Sequence, residues 1–153
     1  ELSQQLVKST TIRNAIESGN VVEAAKLLGR NFKLKGTVVS GDRRGRTLGF
    51  PTANLDVSKE MAVPGNSIYA TWAYVDGIRY MSSTSIGTRP TFGRNKKTIE
   101  AHLIGFEGDL YGEELCLEFV DRLRPEEKYE DIKELLLQIE RDVTKTKKIL
   151  RFL

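Results

Sequence analysis

The chain has 153 residues, 39% of them hydrophobic, with 24 basic against 21 acidic side chains and a formal net charge of +3. That length holds one domain with a proper core, or a domain and a small appendage, and so slight a positive excess does not call for nucleic acid. No apolar run reaches the roughly 18 residues that suggest a membrane span, and the single cysteine, Cys116, rules out an internal disulfide. A lone cysteine fits a reducing, cytoplasmic setting, and with only one histidine beside it a structural zinc site is not expected. The first residue is Glu1 rather than Met and no signal peptide is seen, so the chain reads as a piece of something longer.

The first thirty residues predict two short helices. Ser9 or Thr10 is a candidate cap for the first, Ile12, Ala15 and Ile16 give it an apolar side, and Gly19 ends it. Asn20 with Glu23 reads as a capping box for the second, which runs through Ala24, Ala25, Leu27 and Leu28 to Gly29. From Phe32 the periodicity changes to two, and Lys35 to Ser40 predicts a strand.

That strand leads into the most distinctive stretch, Gly41 to Leu55. Gly45 and Gly49 let backbone N–H groups approach anionic oxygens, while Arg43, Arg44 and Arg46 supply charge and forked donors suited to phosphate. Thr52 and Asn54 carry the hard oxygens that Mg²⁺ prefers, and Pro51 fixes the entry to the Thr-Ala-Asn step. Neither Gly-x-x-x-x-Gly-Lys-Ser/Thr nor a Gly-x-Gly-x-x-Gly after a strand occurs. By composition alone the segment is either an anion cradle or a basic surface loop.

Farther on, Ser67 to Val75 and Ile78 to Ile86 flank Asp76-Gly77, a type I′ hairpin signal. Thr98 to Ile104 and Glu114 to Leu123 predict two more strands, and such a succession of short strands with tight turns argues for an antiparallel barrel. In Thr98-Ile99-Glu100-Ala101-His102-Leu103, alternation sets Glu100 and His102 on one face and Ile99, Ala101 and Leu103 on the other. A carboxylate and an imidazole on one face are acid–base candidates, or else solvated strand residues. Pro125 fits a first helical position with Glu126 and Glu127 in the first turn, and Tyr129, Ile132, Leu135, Leu136, Ile139 and Val143 form an apolar stripe for a final helix over the barrel.

The run Gly36 to Leu55, with Gly45-Arg46-x-Leu48-Gly49-Phe50-Pro51-Thr52-Ala53-Asn54 at its centre, closely resembles the signature of riboflavin kinases. Ile86 to Phe92, Glu100-Ala101-His102-Leu103, Asp109-Leu110-Tyr111-Gly112 and Arg122 to Glu126 match in the same order, so the likeness runs from about Ser9 to Leu150. In particular the chain looks like the C-terminal module of bacterial bifunctional FAD synthetases. The resemblance implies a mainly β fold, a six-stranded antiparallel Greek-key barrel over residues 31–153 with a C-terminal helix. Residues 1–30 are then a helical linker, the tail of a missing adenylyltransferase module. It implies phosphorylation of the riboflavin 5′-hydroxyl by ATP to give FMN and ADP. Glu100 stands at the general base. Gly41, Arg46, Gly49, Pro51, Thr52 and Asn54 stand on the ATP phosphates, with Thr52 and Asn54 also on Mg²⁺. Arg89, His102 and Arg124 fall on the flavin side. Gly41–Phe50 and Gly87–Gly93 resemble two mobile flaps. Ser85, where relatives often carry Asn, and Gly105, in place of a common Asp, are departures on the flavin side.

Two other readings stay open on residues alone. A small basic β-barrel can bind single-stranded nucleic acid, with Tyr69, Trp72, Tyr74 and Tyr80 as stacking aromatics. Trp72 and Tyr74 share a strand face with Ile68 and Ala70, however, which reads more simply as core. A flavin-binding regulatory module without turnover is the other, and retention of Thr52, Asn54 and Glu100 argues against it.

Overall fold

The computed structural model describes residues 2–40, 49–91 and 94–153. Helices α1 (Leu2–Glu17) and α2 (Val21–Leu28) precede six strands: β1 (Phe32–Val39), β2 (Ala53–Asp56), β3 (Ser67–Val75), β4 (Ile78–Thr91), β5 (Arg94–Leu103) and β6 (Glu114–Arg124). Helix α3 (Ile132–Leu150) follows. The strands close into a barrel in the order β1-β2-β5-β4-β3-β6, every neighbouring pair antiparallel. Strands β3, β4 and β5 are successive neighbours and β6 returns beside β3, which is the Greek-key order. The expected barrel is therefore the one found. Asp76 (φ 49°) and Gly77 (φ 79°) both take positive φ in the β3–β4 turn, as a type I′ hairpin requires.

Inward side chains fill the barrel, among them Leu34, Val38, Leu55, Tyr69, Ile86, Ile99, Leu117 and Phe119. Strand β3 is buried on both faces. Tyr69, Ala73 and Val75 point into the barrel, while Ile68, Ala70 and Trp72 join Leu123 and Leu150 in a second cluster that takes in α3. Trp72 and its neighbours are thus core, as the shared face suggested, but core under the terminal helix. Tyr69 is fully buried and Tyr80 meets Phe106 edge-on at 5.2 Å, so these aromatics form no exposed stacking row of the kind the nucleic-acid reading needs.

Asn20 caps α2 by accepting from the Glu23 N–H at 3.2 Å, and Gly29 ends that helix at φ 77°. Only this half of the capping box forms, because the Asn20 N–H donates to the Ala15 carbonyl at 2.8 Å. Helix α1 differs from expectation at its start. Ser9 and Thr10 lie inside it rather than capping it, since Leu2 to Lys8 contain no glycine or proline to stop the helix and the Thr11 hydroxyl bonds back to the Val7 carbonyl at 2.8 Å.

Helix α3 also begins later than Pro125. Asp131 is its cap, accepting from Lys133 N–H at 2.9 Å, and the Pro125 carbonyl is bonded by Arg124 Nη1 at 3.0 Å instead of by a helical N–H. Its apolar stripe is only half-buried, with Ile132 exposed; the deeply buried residues are Asp142, Thr146 and Leu150, spaced four apart. Composition assigns no strand to residues 53–56; pairing on both sides makes these four residues β2.

Candidate active site

The register of β2, β5 and β4 places the signature residues side by side. Asn54 pairs with Glu100, which on its other side pairs with Ser85; one step along, His102 pairs with Ser83. Ala53, Ala101, Ile99 and Thr84 take the alternate, inward positions and are buried, so Thr52, Asn54, Glu100, His102, Ser83 and Ser85 fall on the outer face and are half-buried. The alternation read from residues 98–103 is the one observed.

Over this face lies a cavity of about 620 Å³. Its floor takes in Thr52, Ser83, Ser85, Glu100 and His102, and Phe50 and Arg89 also line it. The segment after β6 and helix α3 supply the opposite wall, with Glu126, Tyr129, Leu135, Ile139 and Asp142. Gly87 stands where this wall meets β4, and a Cβ there would overlap the Glu126 carboxylate. The cavity mixes apolar side chains with a few convergent polar groups, the usual make-up of a small-molecule site.

A second cavity, of about 680 Å³, opens beside the barrel end between β1, β2 and the β5–β6 connection. Val38, Ser40, Pro51, Asn54, Phe106 and Asp109 are among its lining residues. Thr52 lines both cavities and is the residue they share.

Within the first cavity Arg89 Nη2 lies 3.3 Å from Glu100 Oε1, with the guanidinium 54% and the carboxylate 23% exposed. His102 Nδ1 is 3.0 Å from the Pro51 carbonyl oxygen, and its ring meets the Phe50 ring edge-on at 5.6 Å. Arg124 is committed to the protein. Its Nε and Nη2 donate to the two carboxylate oxygens of Asp142 at 2.9 and 2.8 Å, and Gln138 adds an amide donor to Asp142 at 3.0 Å. Burial works against the guanidinium's charge, but the bonds and charge of Asp142 outweigh it and raise the Arg124 pKa above its ordinary value.

Of the residues the sequence singled out, Pro51, Thr52, Asn54, Glu100, His102, Arg89 and Arg124 line one or both cavities. Gly49 takes φ 89° just before them. Gly41 and Arg46 lie outside the described residues, as do residues 41–48 of the first flap reading; of the second, Gly87 to Thr91 are the end of β4, paired with Arg94 to Thr98 of β5, and 92–93 lie outside. Sequence reasoning missed the partner of Arg124. The available signal was Asp142 itself, a carboxylate between Ile139 and Val143 of the apolar stripe and four residues after Gln138. The resemblance puts the start of the terminal helix beside the flavin ring; the segment with Glu126 and Tyr129 does line the cavity, but it precedes the helix instead of belonging to it.

No group of three or more His, Cys, Asp or Glu side chains able to hold a metal exists among the described residues. Thr52 and Asn54 offer neutral oxygens on adjacent outward positions. Such a donor set suits Mg²⁺, which keeps most of its sites for phosphate and water, and would not suit a cation needing an all-protein cage.

Residues 28–150 match the family model described as Flavokinase: Riboflavin kinase. The chain is 41% identical over 139 residues to a bifunctional riboflavin kinase/FMN adenylyltransferase of Bacillus subtilis, covering 89% of this chain and 44% of that protein. The Escherichia coli K12 protein of the same description is 36% identical over 137 residues, with the same shares covered. The chain thus spans under half the length of these curated relatives. Among solved structures, the riboflavin kinase of Trypanosoma brucei superposes with a TM-score of 0.59 at 26% identity, over 78% of this chain and 79% of that one. A Streptococcus pneumoniae structure titled a macrolide-efflux protein superposes with a TM-score of 0.87 at 36% identity, over 91% of this chain and 46% of that one. A family model matched over four-fifths of the length, on a barrel that brings its signature residues to one face, makes this chain a member of the riboflavin kinase family.

Proposed function

We propose that the chain transfers the γ-phosphoryl group of ATP to the 5′-hydroxyl of riboflavin, giving FMN and ADP. The observation that carries this reading is the pair of cavities that share Thr52, with Glu100 in the wall of the first. Riboflavin occupies the cavity under α3 and the nucleotide the one beside the barrel end. The ribityl oxygen forms a bond to the γ-phosphorus as the bond to the bridging oxygen of ADP breaks, and the hydroxyl proton passes to the Glu100 carboxylate. Arg89, next to Glu100, stabilises charge as it develops. Thr52 and Asn54 hold Mg²⁺ with the phosphates, and the ion spreads phosphate charge when bound. Pro51 and Gly49 shape the turn into Thr52, and Gly41 and Arg46 extend the phosphate contacts.

The relatives' description and the share of them that this chain spans support a longer protein, in which an N-terminal adenylyltransferase module carries FMN to FAD. On that reading residues 1–30 are the linker between the two modules and the protein works in the cytoplasm.

Incubation with riboflavin and Mg-ATP, followed by chromatography, tests the reaction. The expected result is FMN and ADP in equal amounts. ADP without FMN, or neither product under conditions where both substrates bind, would refute it.

A further inference from the structure

The β2–β5 ladder pairs Asn54 with Glu100 and Ala53 with Ala101, and no paired position is found toward Thr52. Two residues before Ala53 stands Pro51, which has no N–H and cannot extend the ladder as a donor. Its carbonyl oxygen is nevertheless held, at 3.0 Å, by Nδ1 of His102 on the facing strand. The Phe50 ring meets the same imidazole edge-on at an interplanar angle of 76°. Thr52, the residue common to both cavities, is therefore fixed from two sides, by the ladder at Ala53 and by the imidazole at Pro51.

We infer that His102 is a positioning residue for phosphoryl transfer: its Nδ1–H holds the Phe50-Pro51 turn so that Thr52 presents the nucleotide phosphates in line with the alcohol. The inference rests on the riboflavin kinase reading and assigns to His102 a role toward the protein rather than toward flavin. A carbonyl oxygen only accepts, so the proton of the neutral ring stands on Nδ1 and Nε2 is left without one. That tautomer follows from the geometry whether or not the chain turns over. Displacing reacting groups by about 1 Å can cost about 10²-fold in rate, so a turn set loose beside the residue the two sites share shows in kcat more than in either KM.

Two measurements test this. His102 is the only histidine, so the ring ¹⁵N signals of the labelled protein belong to it without further assignment. Recorded at a pH where the ring no longer titrates, they are expected to show the Nδ1–H tautomer; the Nε2–H tautomer would overturn the inference. Kinetics of His102→Ala, His102→Asn and His102→Gln supply the other readout, with thermal melts to follow folding. The amide nitrogen of asparagine falls near the place of Nδ1 and that of glutamine near Nε2. His102→Gln and His102→Ala are expected to lose about 10- to 100-fold in kcat with little change in either KM, and His102→Asn to recover most of it. Rates like wild type in all three, recovery by glutamine and not asparagine, or an asparagine variant as slow as alanine would each overturn it. Should alanine prevent folding, the contrast between the two amides still decides. A wild-type chain that makes no FMN refutes the kinase reading instead, and the tautomer still decides whether His102 holds the turn.

Discussion

Asp142 and Arg124 show how one buried charge is tolerated at the edge of a site. The side chains are 9% and 19% exposed and meet through two parallel hydrogen bonds, with Gln138 satisfying a further lone pair of the carboxylate. Removing one partner leaves the other buried and uncompensated. Arg124→Ala is therefore expected to destabilise the chain by about 3–5 kcal/mol in denaturant titration, while the double change Arg124→Met with Asp142→Leu recovers much of that loss. A double variant no better than the single one would show that the pair does more than neutralise itself. Glu100 and His102 were legible because a strand alternates, and no partner was needed to see which face they share. Arg124 was singled out by the resemblance, but its clamp was not legible, because the partner carboxylate lies 18 residues away on another element.

The elements differ in how much of each is written locally. The β3–β4 hairpin follows from Asp76-Gly77 and its flanking β-branched and aromatic residues, and strand β3 is found with its expected ends. Strand β2 carries no such signal in four residues; it exists because β1 and β5 offer ladder partners on either side. Helix α3 is capped by Asp131 and does not begin at Pro125, whose carbonyl is taken by Arg124, while Glu126 and Tyr129 line the cavity. Gly36 shows a constraint of packing between elements. A Cβ there would run into the Asp56 backbone carbonyl and the side chains of Leu55 and Val57. Backbone cannot give way as a flexible side chain can, so Gly36→Ala is expected to cost about 1–3 kcal/mol, read as a lowered midpoint of unfolding. An unchanged midpoint would mean that β1 and β2 separate at no cost. Gly87 faces only the end of the Glu126 side chain, and alanine there is expected to be the milder change.

Across the whole molecule, buried charge is held both at the cavity wall, by Arg124 and Asp142, and away from it. Away from the cavities, Glu118 accepts from the Tyr74 hydroxyl at 2.6 Å and the Asn31 amide at 2.8 Å. Burial pushes its carboxyl pKa up, but these bonds and the charges of Lys33 and Arg79 prevail and hold it below the ordinary value of 4.5. A carboxylate so lowered in the folded state contributes stability in full above that ordinary value and loses it as pH falls through the lowered one. Glu118→Gln is thus expected to be less stable than wild type near neutrality, with the gap closing in acid. A gap that stays constant with pH would contradict the ionic origin of the effect.

The proposed reaction puts the base at Glu100, and that role is the part of the proposed mechanism most open to direct test. Single-turnover quench-flow with both substrates saturating, on wild type and Glu100→Gln, measures the chemical step apart from binding. The expected result is a loss of about 10²–10⁴-fold in that step, with the dissociation constants for ATP and riboflavin nearly unchanged. A variant that transfers phosphate at the wild-type rate, or one whose rate falls only because it no longer binds, would contradict Glu100 as the base.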